Sequence, residues 1–535
     1  MLVGYFSPLA PAAVLLLGAF VLSVIIPRLP RLWQTRPELQ PYRAPILVGL
    51  AILALLGTRL TLGEDAAGEG LEMLSGWNFS TAKSAAALTV RVDTLSLIFL
   101  SLTLLILLAV TLAGSGPSGA GGDTKAVESR AGWLVLGASA SLLFVAGNGL
   151  TIGYALFIFE ILTALYWLRQ RQTDLSVARL FLGILTASGL ALLTIDGAPG
   201  ALLLGLALWL RLGLYPFIEA AVRTRQNDEG WLIYLALTLA VSFYLVIRAP
   251  VAPVPGLVRW LVVITMLLNG LLTWLAETRP SFLTRLALTA ALPILLVGTL
   301  VDGIGAAYAV GLILSLGALW LTPRLGRPRL TERAWPWPYL PAAGATLTLL
   351  GLPLWLGWPV RSEIYQTLFQ SESWSLILAV SLAEALGLSS LYRYWLLLWT
   401  GTDRDGRRSA AATIMMVPFL LPGLATFILG LMTQSDIPPA GLAQPFGIFA
   451  VSVLVVVGAI GFGYYRAELL RYLRISPAAL TELLSLRWFL SGWTETLQGV
   501  SKATLRLRVF LEGQHYIGWA LFTTLVGALI IFLRT

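Results

Sequence analysis

A small set of charged side chains falls inside or beside long apolar stretches of this sequence. They are Glu160, Arg211, Arg361, Glu363, Glu384 and Arg393. Burying an ionisable group in a lipid bilayer costs about 2.5–3.5 kcal/mol even by the lower estimates, so each such group needs a partner or a function. Opposite charges at similar depth on separate helices form static ion pairs that hold a bundle together, or they line an ion path. The charges alone leave both interpretations open.

Prolines accompany two of these arginines. Arg211 precedes Pro216 in LALWLRLGLYPF, and Arg361 follows the proline-bearing stretch GLPLWLGWPVRSE. Proline has no backbone N–H, so it interrupts a helix and frees backbone polar groups that neighbouring helices must satisfy. In transporters, such interruptions lie near the bilayer midplane beside ion sites.

The elements that position these charges must be transmembrane helices. The chain has 535 residues, of which 57% are hydrophobic and 12% charged, and its mean hydropathy is +0.83. Apolar stretches of the length that crosses about 30 Å of hydrocarbon recur along almost the whole sequence. A β-barrel is excluded, because its strands would alternate apolar and polar residues. We predict an all-α membrane protein with about sixteen spans, near 3–27, 44–63, 91–113, 132–147, 149–168, 176–195, 200–219, 231–248, 257–276, 283–301, 303–321, 339–357, 374–400, 410–432, 445–466 and 515–533.

Arginine is distributed unevenly among the loops that join these spans. Every second loop is rich in arginine and the others hold few basic residues, which predicts that both chain ends lie outside. The formal net charge of +9 is explained by orientation and anionic lipid, and not by nucleic acid. There is no cysteine and a single histidine, His515, so we expect no metal site and no cofactor. Residues 1–27 lack a basic start and a cleavage site, and we expect them to form the first span.

Two segments between spans have distinct compositions. Residues 114–122 (GSGPSGAGG) predict a flexible loop, and they lack the G-K-[ST] ending of a phosphate-binding loop. Residues 467–514 are amphipathic and basic and are interrupted by Pro477, which is typical of a helix along the membrane surface. This segment either packs on its own bundle or reaches a neighbouring subunit.

Four motifs, in order and at consistent spacing over roughly residues 90–400, resemble the antiporter-like membrane subunits of respiratory complex I. The same family includes subunits of Mrp-type antiporters and membrane-bound hydrogenases. Residues 92–96 (VDTLS) are similar to V-D-G-L-S, and residues 157–160 (FIFE) to F-x-W-E, which carries the family's glutamate. Residues 211–217 (RLGLYPF) resemble K-L-G-x-x-P-F-H, and residues 351–361 (GLPLWLGWPVR) resemble G-x-P-x-x-x-G-F-x-x-K. Residues 269–272 with Arg285 loosely follow a further family segment.

The resemblance implies two inverted five-helix repeats with broken helices, and proton translocation coupled to quinone reduction elsewhere in a complex. Two departures bear on that function. Arg211 and Arg361 replace the family's lysines, and the lysine or histidine expected in helix eight is replaced by Ser242, Phe243 or Tyr244. Arginine stays charged, whereas a proton relay needs groups that change protonation state. The sequence therefore indicates a divergent member whose ion pair is fixed.

These observations give one leading hypothesis and two rivals. The leading one is a non-redox membrane subunit of a complex-I-like NADH or ferredoxin:quinone oxidoreductase, in proton translocation or in a mainly structural role. The rivals are a subunit of an Mrp-type antiporter, hydrogenase or carbon-uptake module, and a stand-alone transporter, against which the lack of a polar cluster argues. We expect other membrane subunits and lipids as partners in an inner or equivalent energy-transducing membrane. The predicted parts are N-terminal helices (1–130), a first repeat (131–248), a second repeat (257–400), further helices (401–466), the amphipathic segment (467–514) and a final helix (515–535).

Overall fold

The computed structural model describes most of the chain up to residue 484. The described residues are 8–25, 42–62, 71–72, 89–113, 124–169, 180–190, 205–208, 210–211, 229–248, 256–277, 279–293, 302–325, 339–352, 355–370, 373–400, 424, 428, 443–473, 476–484, 492, 495, 496 and 499. The chain divides into two compact units, Met1–Leu484 and Ser485–Thr535. Every element and ion pair named here lies in the first unit.

The described part of the first unit is built almost entirely of α-helices, numbered here along the chain whether or not each is a full membrane span. They are α1 (Ala10–Phe20, followed by a π-helical turn Val21–Ile25), α2 (Arg43–Leu62), α3 (Thr94–Ala113), α4 (Thr124–Phe144), α5 (Gly149–Arg169), α6 (Leu180–Leu190), α7 (Glu229–Arg248), α8 (Gly256–Leu275), α9 (Arg279–Ala291), α10 (Asp302–Leu321), α11 (Leu340–Leu349), α12 (Gly357–Gln370), α13 (Trp374–Thr400), α14 (Ala443–Tyr464), α15 (Arg466–Leu473) and α16 (Pro477–Leu484).

Six of these helices are long and apolar enough to cross a membrane. They are α2, α3, α5, α7, α13 and α14. Shorter apolar helices among the described residues include α1, α6, α9 and α11. The predicted all-α membrane fold is therefore confirmed. The spans predicted near 200–219 and 410–432 are described only in part, and the one near 515–533 lies outside the described residues, as do the loop 114–122 and most of the segment 467–514.

The helices α7 and α14 differ in how much of their surface is buried within the protein. In α7, 89% of the spanning stretch is buried, and the helix packs against α3, α4 and α10 at the centre of the bundle. In α14, only 28% is buried, and apolar side chains such as Phe446 and Val457 are exposed. A helix that is apolar on every side is stable at either position in a bilayer protein, since lipid replaces protein on its outer face.

The helix α13 has an exposed tryptophan near each of its ends. Trp374 and Trp399, near its two ends, are exposed by 69% and 71%. At about 1.5 Å per residue they are about 38 Å apart along the axis, and tryptophan is enriched at both membrane interfaces. We infer that α13 spans the membrane completely.

The structure corrects two helix boundaries and adds one feature. The helix α4 begins at Thr124 and not near 132, because hydropathy detects only its apolar part. The span predicted to end near 357 continues after a break as α12, which ends at Gln370. Between α2 and α3, the strands β1 (Leu71–Glu72) and β2 (Thr89–Val90) pair antiparallel, a contact too short to leave a pattern in the sequence.

Candidate functional site: two buried ion pairs

The first ion pair joins Glu160 of α5 to Arg211. The guanidinium Nη2 of Arg211 contacts Oε1 of Glu160, and neither side chain has any exposed surface. Glu160 lies about 16 Å along α5 from its first residue, near the middle of a membrane-spanning helix. A carboxylate at this depth is stabilised by a fixed positive charge in contact with it.

The helix α6 encloses this pair from one side. A Cβ atom added to Gly183 would lie 2.7 Å from Cβ of Glu160, closer than non-bonded carbon atoms approach. Glycine at this position therefore lets the α6 backbone pack directly on Glu160. On the α7 side, Tyr234 packs edge-on against Trp167 of α5, with ring centroids 4.8 Å apart. The surroundings of the first pair are thus densely packed.

The second ion pair is built on an interrupted helix. The helix α11 ends in a left-handed turn at Gly351, where φ is 59°. The N–H of Leu352 donates to the carbonyl of Leu347 (3.2 Å) and that of Gly351 to Thr348 (3.0 Å), which is the Schellman pattern of helix ends. The predicted break before Arg361 is therefore confirmed. The break near Pro216 lies outside the described residues.

The two half-helices approach each other closely. A Cβ atom on Gly357, the first residue of α12, would lie 1.8 Å from the carbonyl oxygen of Thr348. The carbonyl groups at the end of α11 lack intrahelical donors and carry the negative end of the helix dipole. Arg361, one turn into α12, donates through Nη1 to the carbonyl of Leu350. Arg361 thus links the two half-helices across the break and also takes part in the second ion pair.

Arg361 pairs with Glu384 of α13. Its Nε and Nη2 donate to Oε2 of Glu384 at 3.1 and 2.8 Å, and the Tyr365 hydroxyl donates to the same oxygen at 3.0 Å. Tyr365 also lies 3.2 Å from the Ser381 hydroxyl. Side-chain exposure is 6% for Arg361 and 13% for Glu384. Glu384 lies about 15 Å along α13 from Trp374, so the pair is also near mid-depth.

A cavity of about 40 Å³ adjoins the second pair. It lies where α9, α10, the α11–α12 break and α13 meet. Its polar lining includes Arg361, Glu384, Thr289, Thr348 and Tyr308.

Arg393 lies elsewhere. Although it shares α13 with Glu384, its Nη1 donates to the carbonyl of Ala276, just beyond the end of α8. Arg466 donates to the carbonyls of Trp274 (2.8 Å) and Leu275 (2.9 Å) at the same helix end. Burial lowers the pKa of Arg466, and Glu277 partly offsets that effect. Among the described residues, Arg393 forms no ion pair, and its role there is to cap α8.

The structure also contains a charged cluster that sequence analysis missed as a site. Asp93 is the N-cap of α3, where its Oδ1 accepts from the N–H and the hydroxyl of Ser96, both at 2.9 Å. Its Oδ2 accepts from Arg248 at the end of α7, and Arg248 also donates to the Tyr244 hydroxyl (3.2 Å). Burial raises the pKa of Asp93, but the bonds from Ser96 and Arg248 outweigh it and hold this pKa below its ordinary value of 3.8. The sequence signal was an aspartate three residues before a serine at a helix start.

The helix-eight positions discussed above lie on α7 and carry no charge. The Ser242 hydroxyl donates to the carbonyl of Thr238 (2.7 Å), and Tyr244 donates to the carbonyl of Phe144 (3.0 Å). Phe243 packs edge-on against Tyr308 with centroids 6.1 Å apart. Asn269 and Arg285 are both buried, on α8 and α9. Within the described part of the chain, no group of three or more His, Cys, Asp or Glu side chains could hold a metal ion.

Comparison with solved structures identifies the fold. A chain of the membrane-bound sulfane sulfur reductase, an archaeal respiratory membrane complex, aligns with a TM-score of 0.65 and 14% identity over 98% of this chain and 99% of its own length. A chain of the Mrp complex from a Dietzia species aligns with a TM-score of 0.69 and 14% identity over 98% of this chain and 62% of its own. A chain of respiratory complex I from Thermus thermophilus aligns with a TM-score of 0.57 and 20% identity over 81% and 98%.

No protein-family model and no curated protein sequence matches this chain. The similarity to the three complexes is thus one of fold. The resemblance to antiporter-like membrane subunits, predicted from four sequence motifs, is confirmed at that level.

Proposed function

We propose that this chain is an antiporter-like membrane subunit of a complex-I-like NADH or ferredoxin:quinone oxidoreductase, with no redox centre of its own. Within such a complex, the Glu160–Arg211 ion pair stabilises the packing of the helices and does not carry protons. The observation that carries this proposal is the contact between Glu160 and Arg211 with neither side chain exposed. The fold similarity to chains of respiratory complexes supports the proposal that this chain belongs to such a complex.

The chemistry of arginine supports the fixed role. A lysine in a buried pair can release its proton when burial and a neighbour lower its pKa, and so can pass charge along a path. A guanidinium keeps its proton under physiological conditions. With a permanent cation in contact, Glu160 gains little from protonation, and the pair holds α5 to the segment that carries Arg211.

The proposed architecture has sixteen spans, with repeats at 131–248 and 257–400 in inverted orientation and both chain ends outside. Contacts between helix ends support the alternation. Asp93 meets Arg248 at ends predicted to lie outside. Trp274 donates to the carbonyl of Phe462, and Tyr394 to that of Leu319, at ends predicted to lie inside. We place the protein in an inner or equivalent energy-transducing membrane, with other membrane subunits and lipids as partners.

Two measurements test this proposal. Purification of the tagged chain in mild detergent should recover further membrane subunits together with redox subunits that reduce quinone. In that complex, Glu160→Gln variants that still assemble should pump as many protons per electron as the wild type. A fall in the number of protons pumped per electron, with normal assembly, would show that Glu160 belongs to a working proton path.

A second candidate function is a subunit of a cation/proton antiporter of the Mrp kind, or of a hydrogenase or carbon-uptake module. It is favoured by the alignment of 98% of this chain with a chain of the Mrp complex at a TM-score of 0.69. Co-purification separates the two, because an Mrp-type assembly would be recovered without redox subunits and would exchange cations for protons in vesicles.

A further inference from the structure

Two arginines lie together at the ends of α8, α13 and α14 that are predicted to face the cytoplasm. Arg393 of α13 donates to the carbonyl of Ala276, and Arg466, two residues after α14, donates to the carbonyls of Trp274 and Leu275. The two guanidinium groups therefore contact three consecutive carbonyls at one helix end. A helix end carries only about half a negative charge, which is less than two arginines bring.

The nearest acidic side chain does not neutralise this pair of arginines. Glu277 follows directly after Ala276 and is exposed. Among the residues that the structure describes, no ion pair joins a carboxylate to Arg393 or to Arg466. An exposed carboxylate that contacts neither arginine is screened by water and salt. The cluster of two arginines and one glutamate therefore keeps a net positive charge.

Most of the hydrogen-bonding capacity of the two arginines is unused. A guanidinium has five N–H groups, of which Arg393 uses one and Arg466 two in bonds to α8. Their other nitrogens are accessible, since none belongs to the buried polar atoms that lack a partner in the described part of the chain. The bonds to α8 hold both planar groups in place. Fixed guanidinium groups with free N–H donors are well suited to bind phosphate oxygens.

The depth of the cluster matches the headgroup region of a bilayer. Tyr392 packs on Tyr464 at the end of α14, with ring centroids 6.3 Å apart, so α14 ends at the level of Arg393. The exposed Trp399 lies about 9 Å further along α13. Tyr464 and Tyr465 are also exposed, by 64% and 52%. Exposed aromatic residues are enriched at membrane interfaces, and arginine side chains extend from helices toward the headgroups.

We propose that Arg393 and Arg466 form a binding site for the phosphate group of an anionic phospholipid in the cytoplasmic leaflet. Their free N–H groups donate to the phosphate oxygens. A lipid is favoured over free phosphate because the exposed apolar surface of α14 continues from the cluster into the membrane at Ile460 (55%) and Val457 (63%). The cytoplasmic leaflet is also the one that carries anionic lipid. This inference goes beyond the proposed function, since the site lies away from both buried ion pairs.

Native mass spectrometry of the purified, delipidated full-length chain in detergent tests the site. Dioleoyl phosphatidylglycerol and dioleoyl phosphatidylcholine have the same acyl chains and differ in headgroup charge, and each is titrated separately. We expect the first phosphatidylglycerol molecule to bind about tenfold more tightly than phosphatidylcholine. Arg466→Gln and Arg393→Gln should each weaken its binding by about tenfold, because charge-assisted hydrogen bonds to the phosphate are lost.

Control variants separate this site from general attraction between opposite charges. Arg471→Gln removes the same charge from α15, where the exposed Arg471 has no polar contact with a described residue, so phosphatidylglycerol should bind as in the wild type. Glu277→Gln leaves both arginines and their bonds to α8 in place and removes the neighbouring negative charge. It should tighten phosphatidylglycerol binding severalfold. Glu277→Asp keeps that charge and should bind as the wild type does.

Several results would overturn the proposal. They are equal affinities for the two lipids, wild-type affinity in both arginine variants, or equal weakening in Arg471→Gln. Displacement of phosphatidylglycerol by inorganic phosphate at the same concentration would show that the site takes free phosphate and not lipid. If the arginine variants do not fold, because each loses a cap of α8, the Glu277 variants still decide, since unchanged binding in Glu277→Gln rejects the site. None of these results depends on which complex contains the chain.

Discussion

At the scale of single residues, the Glu160–Arg211 pair joins two charges, each of which would be costly to bury alone in lipid or in protein. Each charge makes the burial of the other tolerable, and removing one partner leaves an uncompensated charge at mid-depth. The stability contributed by the pair is therefore mostly the avoidance of that penalty. This makes the single and double substitutions informative in combination.

We predict that Glu160→Gln and Arg211→Met each lower the free energy of unfolding by about 3–5 kcal/mol, whereas the double variant loses less than either. Denaturant unfolding in detergent, followed by circular dichroism, measures these differences. Arg211→Lys keeps the charge and loses the planar guanidinium, so its loss should be smaller than that of Arg211→Met. Additive losses in the double variant would contradict a coupled pair.

Asp93 combines a helix cap with an ion pair at the edge of the bundle. We predict that Asp93→Ala lowers the free energy of unfolding by about 1–2 kcal/mol through the lost cap, and that Asp93→Asn lowers it less, because asparagine also caps helices. Since the folded-state pKa of Asp93 is below its ordinary value of 3.8, its charge stabilises the fold above that pH and this contribution is lost as the pH falls below it. Unfolding measured at several pH values should show this acid-side loss in the wild type but not in Asp93→Asn.

At the scale of helices, the break between α11 and α12 depends on two glycines with different tasks. Gly351 takes a left-handed conformation, and Gly357 lets the second half-helix begin against the last carbonyls of the first. A side chain at either position would push apart the half-helices that hold Arg361 beside Glu384. The geometry of the second ion pair is thus set by backbone features that carry no charge.

We predict that Gly351→Ala destabilises the protein by at least about 1–2 kcal/mol, because alanine is strained at positive φ and its Cβ would lie 3.0 Å from Arg361. Gly317→Ala in α10 is the matched control, since a Cβ there meets nothing within 4 Å. The control should be neutral or slightly stabilising, given alanine's higher helix propensity. Equal losses in both variants would refute a special role for Gly351.

At the scale of the whole molecule, orientation in the bilayer follows from the arginine-rich loops. We predict that residues near 326 and 406 face the cytoplasm and that residues 64–90 lie on the opposite side. The chain has no cysteine, so single cysteines at Gly326, Gly406 and Ser75 report their positions without background and leave the basic residues intact. An impermeant thiol reagent added to intact cells should label position 75 only. Labelling at 326 or 406 but not at 75 would show that the topology is the inverse of the predicted one.

Much of this architecture was determined by the sequence alone. The lengths of apolar stretches predicted α2, α3, α7, α13 and α14 to within a few residues, because a bilayer of fixed thickness imposes both length and composition on a spanning helix. The glycines and prolines around 351–359 predicted the break before Arg361, because their effects on the backbone are local. Charged side chains in apolar stretches indicated where an ion pair would be found.

Only the tertiary structure decided which charges meet. Glu384 and Arg393 share one helix but lie about 13 Å apart along it, and each finds its partner on another element. Glu384 pairs with Arg361, whereas Arg393 caps α8. The Asp93–Arg248 contact and the cavity beside Glu384 likewise join residues that are distant in sequence. A sequence specifies the depth of each side chain through its position in a helix, but the direction that it faces and the neighbour that it meets depend on how the helices pack.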